Sequence, residues 1–391
     1  MRWSIAEANL DTGLPLEGLR MLDFSRVLAG PLVAMIAGDL GADVIKVESP
    51  TGDPVRALAP PVFGGDATYY LAVNRHRRNV VADLTNPEQR AAIEDLVRQA
   101  DAVIENFLPN QYESLDIAGL RALNPDCVWV SITPASSGTA LAAEPSFDLL
   151  AQARSGLMGV TGEADGQPTK VGSPLADVVT GLYGTIGLLT GLVARLREQP
   201  GRHFEAPLLE STMSALVNQA QGYLATGVAP RRHGNDHPSI VPYGPVTTSD
   251  GLLLLAVGTD GQFARLVECV DDDELRALSA RWATNAERVR ERVALAEELN
   301  RCFARATTEE WEGRLRAAGI PMAPILDVPG AFAQTTIADG DFVVTTDAPG
   351  GELRMMASPL RIDGVRPPVR SGPRAFGQDS SDLLGPATAG E

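Results

Sequence analysis

Short apolar runs of strand character alternate with helical spacing through the first third of the chain. Arg20-Met21-Leu22-Asp23-Phe24 reads as a strand, Asp43-Val44-Ile45-Lys46-Val47 as a second, and 79–83 as a third. Residues 102–105 and 127–132 complete the set. Between the first two strands, Pro31 stands where a helix begins, at its first position, because the missing amide costs nothing there. That helix runs to about Asp39, and Gly38 and Gly41 flank the following turn. Pro87 opens another helix, in which Ile93, Leu96 and Val97 recur at helical spacing. Strands alternating with helices predict an α/β fold, a Rossmann-like, doubly wound, mostly parallel sheet.

The rhythm then changes. From 146 to 225 the pattern is helical, and around 243–257 it returns to strand-like runs broken by the turn Ser249-Asp250-Gly251. Residues 262–318 read as charged amphipathic helices, and a tail with Pro359, Pro367, Pro368 and Pro373 reads as an extended arm. The division expected is a large α/β domain over 1–225, a smaller α+β domain over 226–325, and a segment over 326–391 returning to the large domain. No internal repeat is visible.

Charge narrows the partners. With 33 basic and 50 acidic residues the 391-residue chain carries −17, the opposite of the basic footprint that nucleic acids or anionic membranes select. Two lysines, Lys46 and Lys170, stand against 31 arginines, a compositional bias. The three cysteines, Cys127, Cys269 and Cys302, have neither disulfide nor zinc-site spacing and fit a reducing cytosol. The first residues lack the apolar core of a signal peptide. The longest uncharged stretch near membrane length, the 17 residues 178–194, falls short of the roughly 20 a span needs. A buried helix in a cytoplasmic protein is the expectation.

Candidate chemistry is sparse. The turn after the first strand, Val27-Leu28-Ala29-Gly30-Pro31, lacks the GxGxxG spacing of a nicotinamide enzyme, and no P-loop, HExxH or GxSxG occurs. Asp177, directly before the apolar stretch, reads as a helix N-cap. A carboxylate there is held ionised by the helix dipole, which is the state a nucleophile needs, so cap and nucleophile are compatible readings. Asn74-Arg75-His76-Arg77-Arg78 is the densest basic cluster, either a solvated loop or a contact for phosphate. Asn106-Phe107 follows a strand at the edge where open α/β sheets bind ligands.

Taken in order, several strings resemble the class III CoA-transferase family, which groups formyl-CoA and carnitine CoA-transferases with α-methylacyl-CoA racemases. They are Gly18 to Phe24 followed by Ala29-Gly30-Pro31, then Leu40 to Glu48, then Gly52-Asp53 with Arg56. Asn74 to Arg78 with Asp83-Leu84, Glu105 to Pro109, Phe147 to Ala153 with Ser155 to Met158, Gly172 to Gly181, and Ala318 to Pro321 follow. The resemblance implies that Asp177 is the nucleophile and Asp148 a supporting acid. It implies that coenzyme A lies near Val27, Leu28, Ala29, Ala82, Asn106 and Phe107, with Arg77 and Arg78 available for its phosphates. It further implies an acyl-CoA and a carboxylic acid as substrates, no metal and no NAD, and an interlaced homodimer. Departures are Ser49 and Ser114 where the family often has arginine, Asn110 in place of a glycine, and an altered stretch Gly201 to Ala206. The glycine-rich lid of some transferases corresponds at most to Gly258 to Gln262. A racemase would carry histidine directly before Asp148, where this chain has Phe147. Racemase and non-catalytic acyl-CoA binder are the alternative readings.

Overall fold

The computed structural model describes residues 13–385. Contacts divide the described residues into two units, one of residues 13–158, 170–228 and 336–385, the other of residues 159–169 and 229–335. These boundaries differ from the expected 225/226 and 325/326. Residues 159–169 join the smaller unit because Thr169 N bonds Thr161 O, Gly234 N bonds Gly162 O, and the Arg232 guanidinium donates to the carbonyls of Glu163 and Gly166.

In the larger unit six parallel strands form one sheet. They are β1 (Arg20–Asp23), β2 (Asp43–Glu48), β3 (Arg77–Val81), β4 (Ala102–Glu105), β5 (Val128–Thr133) and β6 (His203–Pro207), in the spatial order 3-2-1-4-5-6. The order reverses between β1 and β4, so the crevice beyond their carboxyl ends is the place for a ligand. The third strand lies two residues earlier than its hydrophobic run suggested, because Arg77 and Arg78 take ladder positions opposite Val44 and Ile45. Strand β6 was hidden in the stretch read as helical. Its burial is partial, as befits an edge strand, and leaves no clean apolar run.

Helix α1 (Ala29–Asp39) starts two residues before Pro31, with Leu28 as the residue before its first turn. Helix α2 (Pro87–Arg98) starts at its proline as expected, capped by Asn86, which accepts from the amides of Glu88 and Gln89. Helix α3 (Asp148–Arg154) is short. Helix α4 (Leu175–Leu196) is longer than the uncharged stretch because it begins three residues before Val178 and runs through Arg195. At 22 residues it is long and apolar enough to cross a membrane by length and composition, which corrects the expectation that it falls short. Half of that stretch is nevertheless buried, under α1 and the sheet, as in a core helix. Its glycines serve two surfaces. A Cβ at Gly181 would lie 2.8 Å from Ala29 O of α1, while one at Gly191 would lie 2.5 Å from Val128 Cγ1 of β5.

The edge strand β3 is covered by the tail. Asn79 N donates to Asp379 Oδ2 at 2.8 Å, Asp379 N to Asn79 O at 2.9 Å, and Val81 N to Ser380 Oγ at 2.9 Å. Covering an edge in this way removes a template for unwanted strand pairing. Before it, β10 (Val343–Ala348) and β11 (Gly351–Met356) form an antiparallel hairpin.

The smaller unit has a three-stranded antiparallel sheet of β7 (Tyr243–Thr247), β8 (Leu252–Ala256) and β9 (Met322–Pro324), with β8 central. Helices α5 (Asp260–Val270), α6 (Arg292–Phe303) and α7 (Thr308–Ala317) belong to it. Phe263, Leu266, Trp282, Leu295, Phe303 and Trp311 share one core with the inward residues Leu253 and Leu255 of β8.

Candidate functional site

Beyond the carboxyl ends of β1, β4 and β5 lies a cleft of about 270 Å³. Val27, Leu28 and Ala29 line it from the β1–α1 turn, Asn106 and Leu108 from the segment after β4, and Thr133 and Pro134 from the end of β5. Asp177 of α4 faces the same cleft, as do Arg26 and Phe147.

Asp177 is the third residue of α4, with Pro174 before the helix, so it does not cap the helix as expected. Its carboxylate accepts no hydrogen bond from a described residue and is 7% exposed. Burial first, and the like charge of Asp148 second, push it up to about 7. The expectation that the helix terminus simply holds it ionised thus meets an opposing cause, burial, which also leaves the ionised group poorly hydrated and so more reactive.

The capping falls to Asp148 instead. Its Oδ1 accepts from Ala176 N at 2.8 Å and its Oδ2 from Gln152 Nε2 at 2.8 Å. Gln152 is fully buried, and its Oε1 accepts from Val171 N at 2.8 Å. Asp148 thus bonds the first turn of α4, which carries Asp177, and its charge contributes to raising the Asp177 carboxyl.

Two helix starts meet here. Gly181 lets the Ala29 carbonyl approach α4 one turn beyond Asp177, and Gly30 leaves room for the Ser25 side chain, which a Cβ would strike at 2.3 Å. Among the described residues nothing accepts from the amides of Leu28 and Ala29, the unpaired donors of a helix start beside the cleft. Asn106 grips the turn from the other strand: its Oδ1 accepts from Arg26 N at 3.0 Å and its Nδ2 donates to Arg26 O at 2.9 Å.

The remaining residues singled out from the sequence lie elsewhere. Arg77 is buried and pairs with Asp23 at 2.9 Å, while Arg78 pairs with Asp43 on the neighbouring strand. Neither lines the cleft, because both guanidiniums are spent within the sheet. Arg75 and His76 are likewise held by Asp39. Ala82 is buried in the core beneath β3, and Phe107 packs against Phe24 with ring centroids 6.2 Å apart. Gly258 to Gln262 is a helix-capping sequence of the smaller unit, in which Thr259 and Gln262 cap α5 reciprocally.

Sequence reading passed over three participants. Tyr69 is half-buried, and burial together with Asp177, Asp148 and Asp53 pushes its hydroxyl up to about 12, so it stays a proton donor. It packs against the buried cluster of Leu28, Met35 and Val73, as does Val178, the residue after the nucleophile candidate. Arg26 makes no ion pair among the described residues; its NH2 donates to Gln111 Oε1 at 3.2 Å, which leaves charge for an anionic ligand. Glu105, on β4, accepts from Phe107 N at 2.7 Å and from the Ser131 hydroxyl, and burial raises it to about 7. Ser131 Oγ meets His203 Nε2 at 2.8 Å, and Arg121 NH1 meets His203 Nδ1 at 3.0 Å. Since arginine can only donate, Nδ1 is the acceptor and the proton of the neutral ring sits on Nε2. Only the tyrosine pair Tyr69-Tyr70, close before the basic cluster, was a signal in the sequence.

Comparison with known proteins shows the family. The profile described as CoA-transferase family III matches residues 16–380. The succinate–glutarate CoA-transferase of Agrobacterium fabrum is 38% identical over 374 residues, covering 91% of this chain and 89% of that protein. The human succinyl-CoA:glutarate CoA-transferase is 31% identical, covering 97% and 87%. Among solved structures, a CAIB/BAIF family protein from Brucella suis superposes with a TM-score of 0.85 at 35% identity, covering 95% of this chain and 98% of that one.

Proposed function

The chain belongs to CoA-transferase family III and is an enzyme of that class, and from that premise we propose that Asp177 is the nucleophile that carries the acyl group and then CoA. The observation that carries the reading is a buried, unbonded carboxylate facing the switch-point cleft beside the unpaired amides of Leu28 and Ala29. An Asp177 oxygen attacks the thioester carbonyl, the C–S bond breaks, and CoA leaves as thiolate, forming a mixed anhydride. The thiolate attacks Asp177 Cγ, which releases the donor carboxylate and leaves an aspartyl-CoA thioester. The acceptor carboxylate then displaces the thiolate to form a second anhydride. Attack of the thiolate on the acceptor carbonyl frees Asp177 and yields the new thioester. Each step exchanges one acyl bond for another, so the reaction needs neither ATP nor metal nor nicotinamide.

The amides of Leu28 and Ala29 are suited to the oxyanion of each tetrahedral intermediate, and a rigid pair of donors costs no reorganisation there. Coenzyme A, in this reading, lies along Val27, Leu28, Ala29 and Asn106. Relatives named for succinate and glutarate support small dicarboxylic acids as substrates, and the free charge of Arg26 suits an anionic group. A racemase is disfavoured, because Phe147 precedes Asp148 and has no titratable group.

The same proposal makes the protein cytoplasmic and homodimeric. Leu182, Ile186 and Val193 of α4 are about half exposed, and Val217 and Leu224 of the helix Val217–Thr226 are more so, an apolar surface suited to a second copy. Sedimentation at successive dilutions checks this; a stable active monomer overturns it. The nucleophile is tested by incubation with succinyl-CoA and trapping of an aspartyl adduct by mass spectrometry. Adduct at Asp177, with turnover lost in Asp177→Ala by several orders of magnitude, is expected. Retention of more than about one tenth of turnover overturns the assignment.

A further inference from the structure

Val27 has φ +72°, a left-handed conformation that is a genuine outlier for a β-branched residue. In dinucleotide-binding sheets a glycine takes the corresponding turn without cost. Here the turn is held from all sides. Ser25 N donates to Asp23 Oδ1 at 2.9 Å, Asn106 holds both backbone groups of Arg26, and Val27 N donates to Asp53 Oδ1 at 3.3 Å. The same Asp53 oxygen accepts from Val55 N at 3.1 Å. Its other oxygen is in an ion pair with Lys46 Nζ at 3.0 Å, and the Lys46 ammonium donates its hydrogen bond to Ser25 O at 2.8 Å. Lys46 and Asp53 are buried, with Asp23 4.0 Å from the ammonium.

Lys46 is one of two lysines in a chain with 31 arginines. A compact ammonium rotates its three donors about a flexible stem, whereas a guanidinium holds its five in a rigid plane. Strained backbone persists where surroundings over-determine it, and it clusters at functional sites.

We infer that Asp53, locked by Lys46, is a positioning residue that holds Val27 in its left-handed conformation and thereby aims the Leu28 and Ala29 amides into the cleft at Asp177. The network touches no reacting atom; it acts through the turn. For its kinetic readout the inference rests on the transfer reading, while an exchange readout is independent of it.

The test is a double-mutant cycle between Asp53→Asn and Val27→Gly. In Asp53→Asn the amide oxygen turns to Lys46, so its NH2 confronts the Val27 N–H, donor against donor, with side-chain volume conserved. Hydrogen exchange over residues 24–32 and turnover of succinyl-CoA with glutarate are both measured. Asp53→Asn should speed exchange at Arg26 and Leu32, the bonded amides on either side of the turn, and lower kcat, by about tenfold or more, with KM for glutarate changed less than about threefold. In the Val27→Gly background, where the left-handed turn is free of strain, the same change should cost about threefold or less. Equal losses in both backgrounds overturn the inference, because a mere counter-ion for Lys46 has no reason to couple to the Val27 conformation. If the wild type transfers no CoA, the transfer reading falls, and exchange still decides this one. Should Asp53→Asn not fold, Lys46→Met combined with Asp53→Asn frees the asparagine oxygen to face Val27. Exchange at Arg26 and Leu32 within about threefold of wild type is then expected; loss of protection there, or failure of this variant also to fold, overturns the inference.

Discussion

Alanine in place of a helical glycine usually stabilises by about 1 kcal/mol, and Gly181→Ala should not. The added Cβ would lie 2.8 Å from Ala29 O and 2.9 Å from Leu32 Cδ2, where unstrained contacts fall at about 3.5–4 Å. The first of these is a backbone carbonyl and cannot rotate aside. Helix α1 must therefore retreat from α4 by about half an ångström, and overpacking of this kind costs about 1–3 kcal/mol, which offsets the propensity gain or exceeds it. The functional consequence is larger. The retreat separates the Leu28 and Ala29 amides from Asp177, and since about 1 Å of misplacement can cost a hundredfold, roughly a tenfold fall in kcat is expected. Gly313→Ala in α7 is the control, because its Cβ position is exposed and meets no neighbouring group within 4 Å, and it should stabilise by about 1 kcal/mol. Thermal unfolding and steady-state turnover of succinyl-CoA with glutarate read both effects. If Gly181→Ala raises the unfolding temperature as Gly313→Ala does and leaves kcat within about twofold, the close approach of α1 to α4 does not set the site geometry.

Three further predictions follow from the carboxylates and from Phe147. With Asp177 as the proposed nucleophile, transfer needs its ionised form and the rate should rise with pH through about 7; Asp148→Asn should move that limb to lower pH without restoring an ordinary carboxylate, because burial is the larger cause. Glu105, raised from 4.5 to about 7, binds its proton more tightly folded than unfolded, so its contribution to stability is present below about pH 4.5 and is lost as pH rises through about 7. The loss is on the order of 3 kcal/mol, and Glu105→Gln should flatten the stability–pH curve between about pH 5 and 8; an unchanged slope in urea titrations refutes this. In heavy water, a 2-methylacyl-CoA should take up no enzyme-dependent deuterium at its α-carbon, since Phe147 supplies no base, and uptake seen by mass spectrometry would place the chain among racemases instead.

How much of this was legible in the chain varies with the range of the forces involved. Strand β4 was readable to the residue, because Ala102-Val103-Ile104-Glu105 is short, branched and bounded. The start of α2 was readable from Pro87. Both depend on neighbours in sequence. Asp177 and Asp148 were legible through motif order, and the cleft does place Asp177 beside Val27, Leu28, Ala29 and Asn106. Arg77 and Arg78 were misjudged because a dense basic cluster looks solvated or ligand-seeking until the partners Asp23 and Asp43 arrive from other strands.

The sequence by itself determined the α/β alternation, the family and the identity of the candidate nucleophile, since local periodicity, turn residues and motif order are properties of a chain read in one dimension. The tertiary structure alone decided the state of those groups. Desolvation and a neighbouring carboxylate raise Asp177, a cap comes from Asp148 on another helix, and the left-handed turn at Val27 is held by Asp53 across 26 residues of chain. Burial, charge proximity and backbone strain are sums over neighbours in space, and those neighbours exist only once the sheet has brought β1, β2 and β4 together.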